Sequence, residues 1–172
     1  MSSLVVLLCG YSFSGKSTLA AALHERCGAA VVCPDAINAR RGLWGGDGVP
    51  DAEWARTLDE AHTELEAHLA ASAPLVVIDD TCCDRWLRDA YREVARRYGY
   101  VVELLVLDVP AAEVEARMAR AAADPDARRG LKAEVWASHR DTFEWPTDDE
   151  GPRCFTASVD LTDRVVADLG LS

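Results

Sequence analysis

The sequence predicts an α/β fold in which helices cover both faces of a mostly parallel sheet. Along the 172 residues, apolar runs of strand length alternate with longer segments of helical period. This alternation is typical of a parallel sheet with covering helices. The first run, LVVLLC at residues 4–9, is continuously apolar, which indicates a strand buried on both faces. Because the chain shows no repeat and no shift in composition, residues 1–172 are expected to form a single domain.

The individual elements follow from the same alternation. Strands are predicted at residues 4–9, 29–33, 75–78, 100–107 and 153–158. Helices are predicted at 16–27, 51–71 and 84–98. A further helix is predicted to begin with Pro110 as its first residue and to be interrupted at 123–131. Helical structure then resumes to about residue 143, and a last helix begins at about 161. In the helix at 84–98, four arginines are expected on the face opposite the apolar one: Arg85, Arg88, Arg92 and Arg96.

Composition and charge exclude several classes of protein. The chain has 18 Lys and Arg against 29 Asp and Glu, a net charge of −11, which disfavours general binding to nucleic acids. No apolar stretch is long enough for a membrane span, and the first residues lack the basic region of a signal peptide. The six cysteines show no Cys-x-x-Cys spacing, so reduced thiols and a cytoplasmic location are expected.

The most specific motif lies between the first strand and the first helix. Residues 10–17, GYSFSGKS, match the phosphate-binding pattern G-x-x-x-x-G-K-[ST]. Glycines let successive N–H groups turn inward around phosphate oxygens, and the helix that follows adds its positive end. ATP is therefore the expected nucleotide, bound by Gly10, Ser12, Phe13, Ser14, Gly15, Lys16, Ser17 and Thr18. Lys16 would contact the β- and γ-phosphates and is also a catalytic candidate.

The third strand ends in two carboxylates that can serve a metal. An apolar run followed by Asp79 has the form of the acidic strand end that supports Mg²⁺ in such proteins, and Asp80 comes next. Mg²⁺ is expected between the Ser17 hydroxyl and Asp79, with Asp80 facing a second substrate; the opposite assignment of the two carboxylates stays open. The alternative is that both are solvated carboxylates at a strand end without a metal.

Size and missing motifs narrow the class further. The guanine motif Asn-Lys-x-Asp of GTPases is missing, and 172 residues are too few for motor, helicase or transporter ATPases. Arg117, Arg120, Arg128 and Arg129 lie in a segment at about 117–131 that is predicted to be a lid. Arginines that close over a γ-phosphate stabilise the charge of a transferring phosphoryl group. Arg117 and Arg120 are the catalytic candidates and Arg128 a nucleotide-binding one, although a solvated helix face would look similar.

The order of these motifs resembles the small P-loop kinases grouped around polynucleotide kinase, the zeta-toxin kinases and the antibiotic-modifying kinases. The resemblance rests on residues 10–17, Pro34-Asp35, Asp79-Asp80-Thr81, the motif at 107–110 and the Arg117/Arg120 segment, and it spans nearly the whole chain. It implies a three-layer P-loop fold with a parallel five-stranded sheet in the order 2-3-1-4-5. It also implies that Asp35 orients and deprotonates the acceptor hydroxyl.

Asp35 has an independent argument from its position. It follows the second strand, whose carboxyl end faces the crevice where ligands of open α/β sheets bind. A carboxylate there can take the proton of an acceptor hydroxyl; alternatively, Asp35 only caps the helical segment at 36–41. The rest of the acceptor site is expected from residues nearby: Asn38, Arg40, Arg41, Trp44, Asp80 and Thr81. Trp54, Trp86, Trp136 and Trp145 are expected to pack, and the four histidines receive no role.

The resulting hypothesis is an ATP- and Mg²⁺-dependent kinase that phosphorylates a hydroxyl of a small molecule such as a nucleoside, sugar or antibiotic. A first alternative is a polynucleotide 5′-hydroxyl kinase, which would need a basic groove from Arg40, Arg41, Arg85 and Arg88. Net charge and Asn38, where related kinases often have Arg, count against it. A second alternative is a non-enzymatic nucleotide switch with a protein partner. The sequence leaves the oligomeric state open.

Overall fold

The fold is built on five parallel strands and seven α-helices in the part of the chain that the structure describes. The structure is a computed structural model, and the description covers residues 3–43, 49–123 and 131–171. The strands are β1 (Leu4–Cys9), β2 (Ala30–Val32), β3 (Leu75–Ile78), β4 (Val101–Leu107) and β5 (Arg153–Phe155). The helices are α1 (Lys16–Cys27), α2 (Pro34–Arg40), α3 (Asp51–Ala70), α4 (Arg85–Arg97), α5 (Ala111–Ala122), α6 (Ala133–Thr142) and α7 (Leu161–Asp168).

The strand order is β2-β3-β1-β4-β5, with every neighbouring pair parallel. This confirms the predicted three-layer fold and sheet order. Successive parallel strands need a crossover long enough to return the chain to the same edge, and the helices between them supply it. All five strands therefore end at one edge of the sheet, where the segments after β1, β2 and β3 lie side by side.

Both faces of the sheet are covered, because side chains of a strand alternate between its faces. Val5, Leu7 and Cys9 of β1 pack into one buried cluster together with apolar residues of α3 and α4. Val6 and Leu8 point the other way and pack against α1 and α7. Every residue from Val5 to Cys9 is fully buried, which explains why the first apolar run is continuous.

Several predicted boundaries differ from the structure by a few residues. β2 and β5 are shorter than predicted, because only three residues of each pair with a neighbouring strand. Pro110 precedes α5 as its N-terminal cap instead of serving as its first residue. None of the helices within residues 3–43, 49–123 and 131–171 is long and apolar enough to cross a bilayer.

Arg88, predicted on the helix face opposite the apolar residues, is buried in the structure. Its side chain is 1% exposed and forms a bidentate ion pair with Glu150, which is also 1% exposed. Arg88 also donates hydrogen bonds of 2.8 Å to the carbonyl oxygens of Cys82 and Glu144. A helical wheel shows only angles around one helix, whereas the segment that follows α6 folds over this face of α4 and buries it.

Candidate active site

The loop between β1 and α1 has a backbone that its glycines make possible. Gly10 has φ 146° and Gly15 has φ 106°, backbone angles that residues with a Cβ rarely adopt. A Cβ at Gly10 would also lie 2.7 Å from the carbonyl oxygen of Leu107 on β4. Phe13 adopts a positive φ of 63° as well. Space and backbone conformation together therefore require glycine at the first position of the phosphate-binding motif.

The side chain of Lys16 is hydrogen-bonded to oxygen atoms of this loop. Its side chain is buried, and Nζ donates hydrogen bonds to the carbonyl oxygens of Gly10 (2.9 Å) and Tyr11 (2.7 Å) and to Oγ of Ser14 (3.4 Å). Burial lowers the pKa of Lys16, and the charges of Asp79 and Asp80 oppose that effect. The ammonium group is thus positioned at the centre of the loop before any phosphate binds.

Three carboxylates follow β2 and β3, the two strands on one side of β1. Asp79 and Asp80 come directly after β3, and Asp35 lies in the first turn of α2. Asp80 accepts hydrogen bonds from the backbone N–H of Thr81 (2.6 Å) and the hydroxyl of Tyr91 (3.3 Å), and burial raises its pKa. The cap position of α2 belongs to Cys33, so the alternative that Asp35 caps this helix is wrong.

A cavity of about 630 Å³ connects these groups. Residues of the phosphate-binding loop line it, together with Asp35, Thr81 and apolar side chains from several helices. The predicted site residues that line it are Ser12, Phe13, Gly15, Lys16, Ser17, Thr18, Asp35, Asp79, Asp80, Thr81 and Arg117. Sequence positions far apart therefore meet in one space that opens at the carboxyl edge of the sheet.

The described arginines of the predicted lid differ in their contacts. Arg117 donates to the carbonyl oxygens of Phe13 (3.0 Å) and Ser14 (3.1 Å) and also contacts Glu113. It thus lies directly against the phosphate-binding loop. Arg120 is 68% exposed, contacts Glu113 at 3.3 Å, and does not line the cavity. Arg128 lies outside the described residues.

The residues predicted for the acceptor site are brought together only in part. Asn38 is buried, and its Oδ1 accepts a hydrogen bond from the hydroxyl of Thr57 on α3. Arg40 pairs with Glu64, and Arg41 binds Glu53 and Thr57. These contacts join α2 to α3 and leave all three side chains outside the cavity lining. Trp44 lies outside the described residues.

Other residues that line the cavity were not among the predicted site residues: Trp54, Leu58, Cys83, Asp84, Trp86, Leu87, Leu131, Val135 and His139. Trp54 and Trp86 were expected to pack, but Trp86 is 60% exposed. Asp84 and Trp86 stand at the start of α4, after the loop that leaves β3. The argument that placed Asp35 in the crevice applies to them equally and would have found them. His139 reaches the cavity from α6 through tertiary packing alone, and no sequence signal marks it.

The residues around Ser17 fit a magnesium ion that is shared with a nucleotide. No group of three or more His, Cys, Asp or Glu side chains is arranged to hold a metal within the described ranges. Mg²⁺ in nucleotide sites, however, needs few protein ligands, because phosphate oxygens and water supply the rest. The exposed Ser17 at the start of α1 and the carboxylate of Asp79 line the same cavity and provide hydroxyl and carboxylate oxygens of the type that Mg²⁺ prefers.

Residues 5–146 match the sequence pattern of the AAA domain family, and this match covers the phosphate-binding loop, the three carboxylates and the whole segment predicted to be a lid. The chain belongs to the AAA domain family. No curated protein sequence matches it.

Solved structures show which fold this AAA domain shares. A sugar kinase from Janibacter sp. HTCC2649 superposes with a TM-score of 0.71 at 23% identity, over 100% of this chain and 96% of that one. A gluconokinase from Sinorhizobium meliloti 1021 superposes with a TM-score of 0.69 at 20% identity, over 98% of this chain and 91% of that one. Kti12 from Chaetomium thermophilum, solved with ADP-AlF₃, superposes with a TM-score of 0.73 at 13% identity, over 96% of this chain and 97% of that one. At these identities the likeness establishes a common P-loop kinase fold.

Proposed function

We propose that this protein is an ATP- and Mg²⁺-dependent kinase that transfers the γ-phosphoryl group to a hydroxyl of a small molecule. One observation carries the proposal: Lys16, Asp79 and Asp35 line a single cavity, and apolar side chains of α3 and α4 line it with them. A nucleotide switch needs the first two residues and has no use for a carboxylate beyond them.

Each residue has a distinct part in the proposed reaction. The loop N–H groups and Lys16 hold the β- and γ-phosphates, and Arg117, which already contacts the loop, adds positive charge where the transition state gains negative charge. Asp35 accepts the proton of the acceptor hydroxyl. The hydroxyl oxygen of the acceptor forms a bond to the γ-phosphorus, and the bond between the γ-phosphorus and the bridging oxygen of ADP breaks. When bound, Mg²⁺ offsets phosphate charge, and Ser17 and Asp79 would hold it.

Small-molecule acceptors agree better with the surface charges than nucleic acids do. Of the arginines required for a basic groove, Arg40 pairs with Glu64, Arg85 with Asp149, and Arg88 with buried Glu150. A groove neutralised by its own carboxylates offers little attraction for a phosphate backbone. The gluconokinase and sugar kinase named above support a small hydroxyl compound as the acceptor class.

The test measures ADP release with Mg·ATP against a panel of sugars, nucleosides, hydroxyl-bearing antibiotics and 5′-hydroxyl oligonucleotides. A small molecule should stimulate ADP release, and Asp35→Asn should reduce that stimulation at least about 100-fold while ATP affinity changes less than about threefold. Asp59→Asn on the exposed side of α3 removes the same charge outside the cavity and should have no effect.

Three results would contradict the proposal in different ways. Stimulation by oligonucleotides alone would favour the polynucleotide kinase. ATP binding with no stimulation by any compound would favour the nucleotide switch. Full turnover in Asp35→Asn would remove Asp35 from the mechanism.

A further inference from the structure

The residues outside the phosphate-binding loop that line the cavity combine apolar and aromatic side chains with carboxylates. Trp54 and Leu58 of α3 and Trp86 and Leu87 of α4 provide apolar and aromatic walls. We call these four residues, together with Asp35 and Asp84, the acceptor half. Its apolar and aromatic lining suits an organic molecule with a hydrophobic body.

The charges around this half are strongly one-sided. Four carboxylates line the cavity: Asp35, Asp79, Asp80 and Asp84. Among the described lining residues, the cationic side chains are Lys16 and Arg117, and both contact the phosphate-binding loop. The third basic type in the lining, His139, is neutral at pH 7, because burial lowers its pKa to about 4.

Arginines that would attract an anionic acceptor are engaged elsewhere. Arg40 and Arg41 are bound to α3 through Glu64 and Glu53, and Arg85 to Asp149. Of the segments outside the described residues, 44–48 contains no Lys or Arg, and 124–130 contains Arg128 and Arg129, which are predicted above for the lid over the γ-phosphate. Within the part of the chain that the structure describes, the acceptor half therefore contributes Asp35 and Asp84 to the cavity lining and no Lys or Arg, which favours a cationic acceptor over one with a carboxylate or phosphate.

Asp84 is the carboxylate that the proposed reaction does not use. It occupies the cap position of α4, yet its side chain makes no hydrogen bond to the helix. Among the described residues its carboxylate accepts a hydrogen bond from the thiol of Cys83 at 3.4 Å, and its charge also acts on His139. No described Lys or Arg forms an ion pair with Asp84. Two residues further on, Trp86 lines the same cavity with 60% of its surface exposed.

A carboxylate and an exposed indole beside one cavity are the two groups that bind an organic ammonium. The carboxylate attracts its charge, and the face of an indole ring adds the strongest cation–π attraction of any side chain. We propose that the acceptor is an alcohol that carries a protonated amine on an apolar body, and that Asp84 and Trp86 bind the amine. This inference rests on the proposed kinase function, whose acceptor it specifies.

The test uses three ring-matched probes that differ in charge: benzyl alcohols with an aminomethyl, an acetamidomethyl or a carboxymethyl group on the ring. Calorimetry with a non-hydrolysable ATP analogue and Mg²⁺ present measures the dissociation constant of each. The amine should bind about tenfold more tightly than the neutral amide, and the carboxylate should bind most weakly. Asp84→Asn should reduce the tenfold preference to below about twofold, and Trp86→Leu should weaken amine binding about fivefold.

Asp89→Asn is the matched control, because it removes a carboxylate from the same helix on its exposed side, outside the cavity. It should leave the preference unchanged. Equal binding of amine and amide, tighter binding of the carboxylate, no binding of any probe, or a preference that survives Asp84→Asn would each overturn the proposal.

Acceptor-dependent ADP release with the same probes separates the two proposals. Amine-selective binding without any ADP release would contradict the kinase function and leave the amine site standing. ADP release with the amide and carboxylate equal to that with the amine would support the kinase and overturn the amine site.

Discussion

The ion pair between Arg88 and Glu150 predicts a large loss of stability from one buried substitution. Arg88→Met keeps an unbranched apolar chain and removes the charged guanidinium group. Glu150 would then retain Arg92, which contacts it at 2.8 Å, and the carbonyl oxygens of Cys82 and Glu144 would lose their donor. Breaking a buried pair by removing one partner costs about 3–5 kcal/mol. Because Arg92 remains, we expect about 3 kcal/mol.

The titration of Glu150 leads to a similar value. Burial alone would raise its pKa, but the hydrogen bonds from Arg88 and Arg92 outweigh burial and lower the pKa from 4.5 to about 2. This difference is the joint effect of both arginines and has the order of magnitude of a few kcal/mol at neutral pH. Because the folded pKa is the lower one, the stabilisation is fully present above about pH 4.5 and is lost as the pH falls through about 2.

Urea unfolding at pH 7 tests the magnitude, and a pH series tests the cause. Arg88→Met should lower the free energy of unfolding by about 3 kcal/mol, and its difference from the unmodified protein should shrink between about pH 4.5 and 2. Arg96→Met on the same helix is the control. Arg96 is 76% exposed and pairs with Glu93, so its loss should cost less than about 0.5 kcal/mol.

A loss below about 1 kcal/mol for Arg88→Met would refute this reasoning, because it would place the substitution in the range of exposed ion pairs. A loss that stays constant down to pH 2 would refute the role of Glu150, leaving only the two carbonyl contacts as the cause. The double variant with Glu150→Leu should recover part of the loss, since a buried pair replaced by apolar side chains is often neutral.

Two further predictions concern the phosphate-binding loop and the thiols. Gly10→Ala should lower the free energy of unfolding by about 2 kcal/mol and ATP affinity more than about tenfold, because its Cβ would meet the Leu107 carbonyl at 2.7 Å. The control is Gly99→Ala, because Gly99 has φ 75° but open space around it. It should lower the free energy of unfolding by about 1 kcal/mol and leave ATP affinity unchanged in a titration. Equal losses of stability and ATP affinity in the two variants would contradict the clash at Gly10. In the native protein at pH 8, a thiol reagent should modify exposed Cys154 quickly and buried Cys9 only on unfolding, because burial raises the pKa of Cys9 to about 12. Rapid native labelling of Cys9 would disprove its burial.

Much of the fold follows from local patterns that one stretch of chain carries by itself. The continuous run at 4–9 requires a strand buried on both faces, and the glycines and lysine at 10–17 require a phosphate-binding loop, because their chemistry depends on neighbours in sequence. Asp35 and Asp79 could be placed at one edge because parallel strands all end there. The sheet order came from the family resemblance and not from any single segment.

Tertiary structure decided the features that depend on which surfaces meet. Asn38 and Arg41 look like site residues by their distance from Asp35 along the chain, yet α3 packs beside α2 and takes both side chains as partners. Arg88 looks solvated on its own helix, yet Glu150 approaches it from 62 residues away. His139 enters the cavity from α6. In each case the deciding contact joins elements whose relative position no local pattern encodes, so local sequence determined the phosphate chemistry and the packing of helices determined the acceptor side.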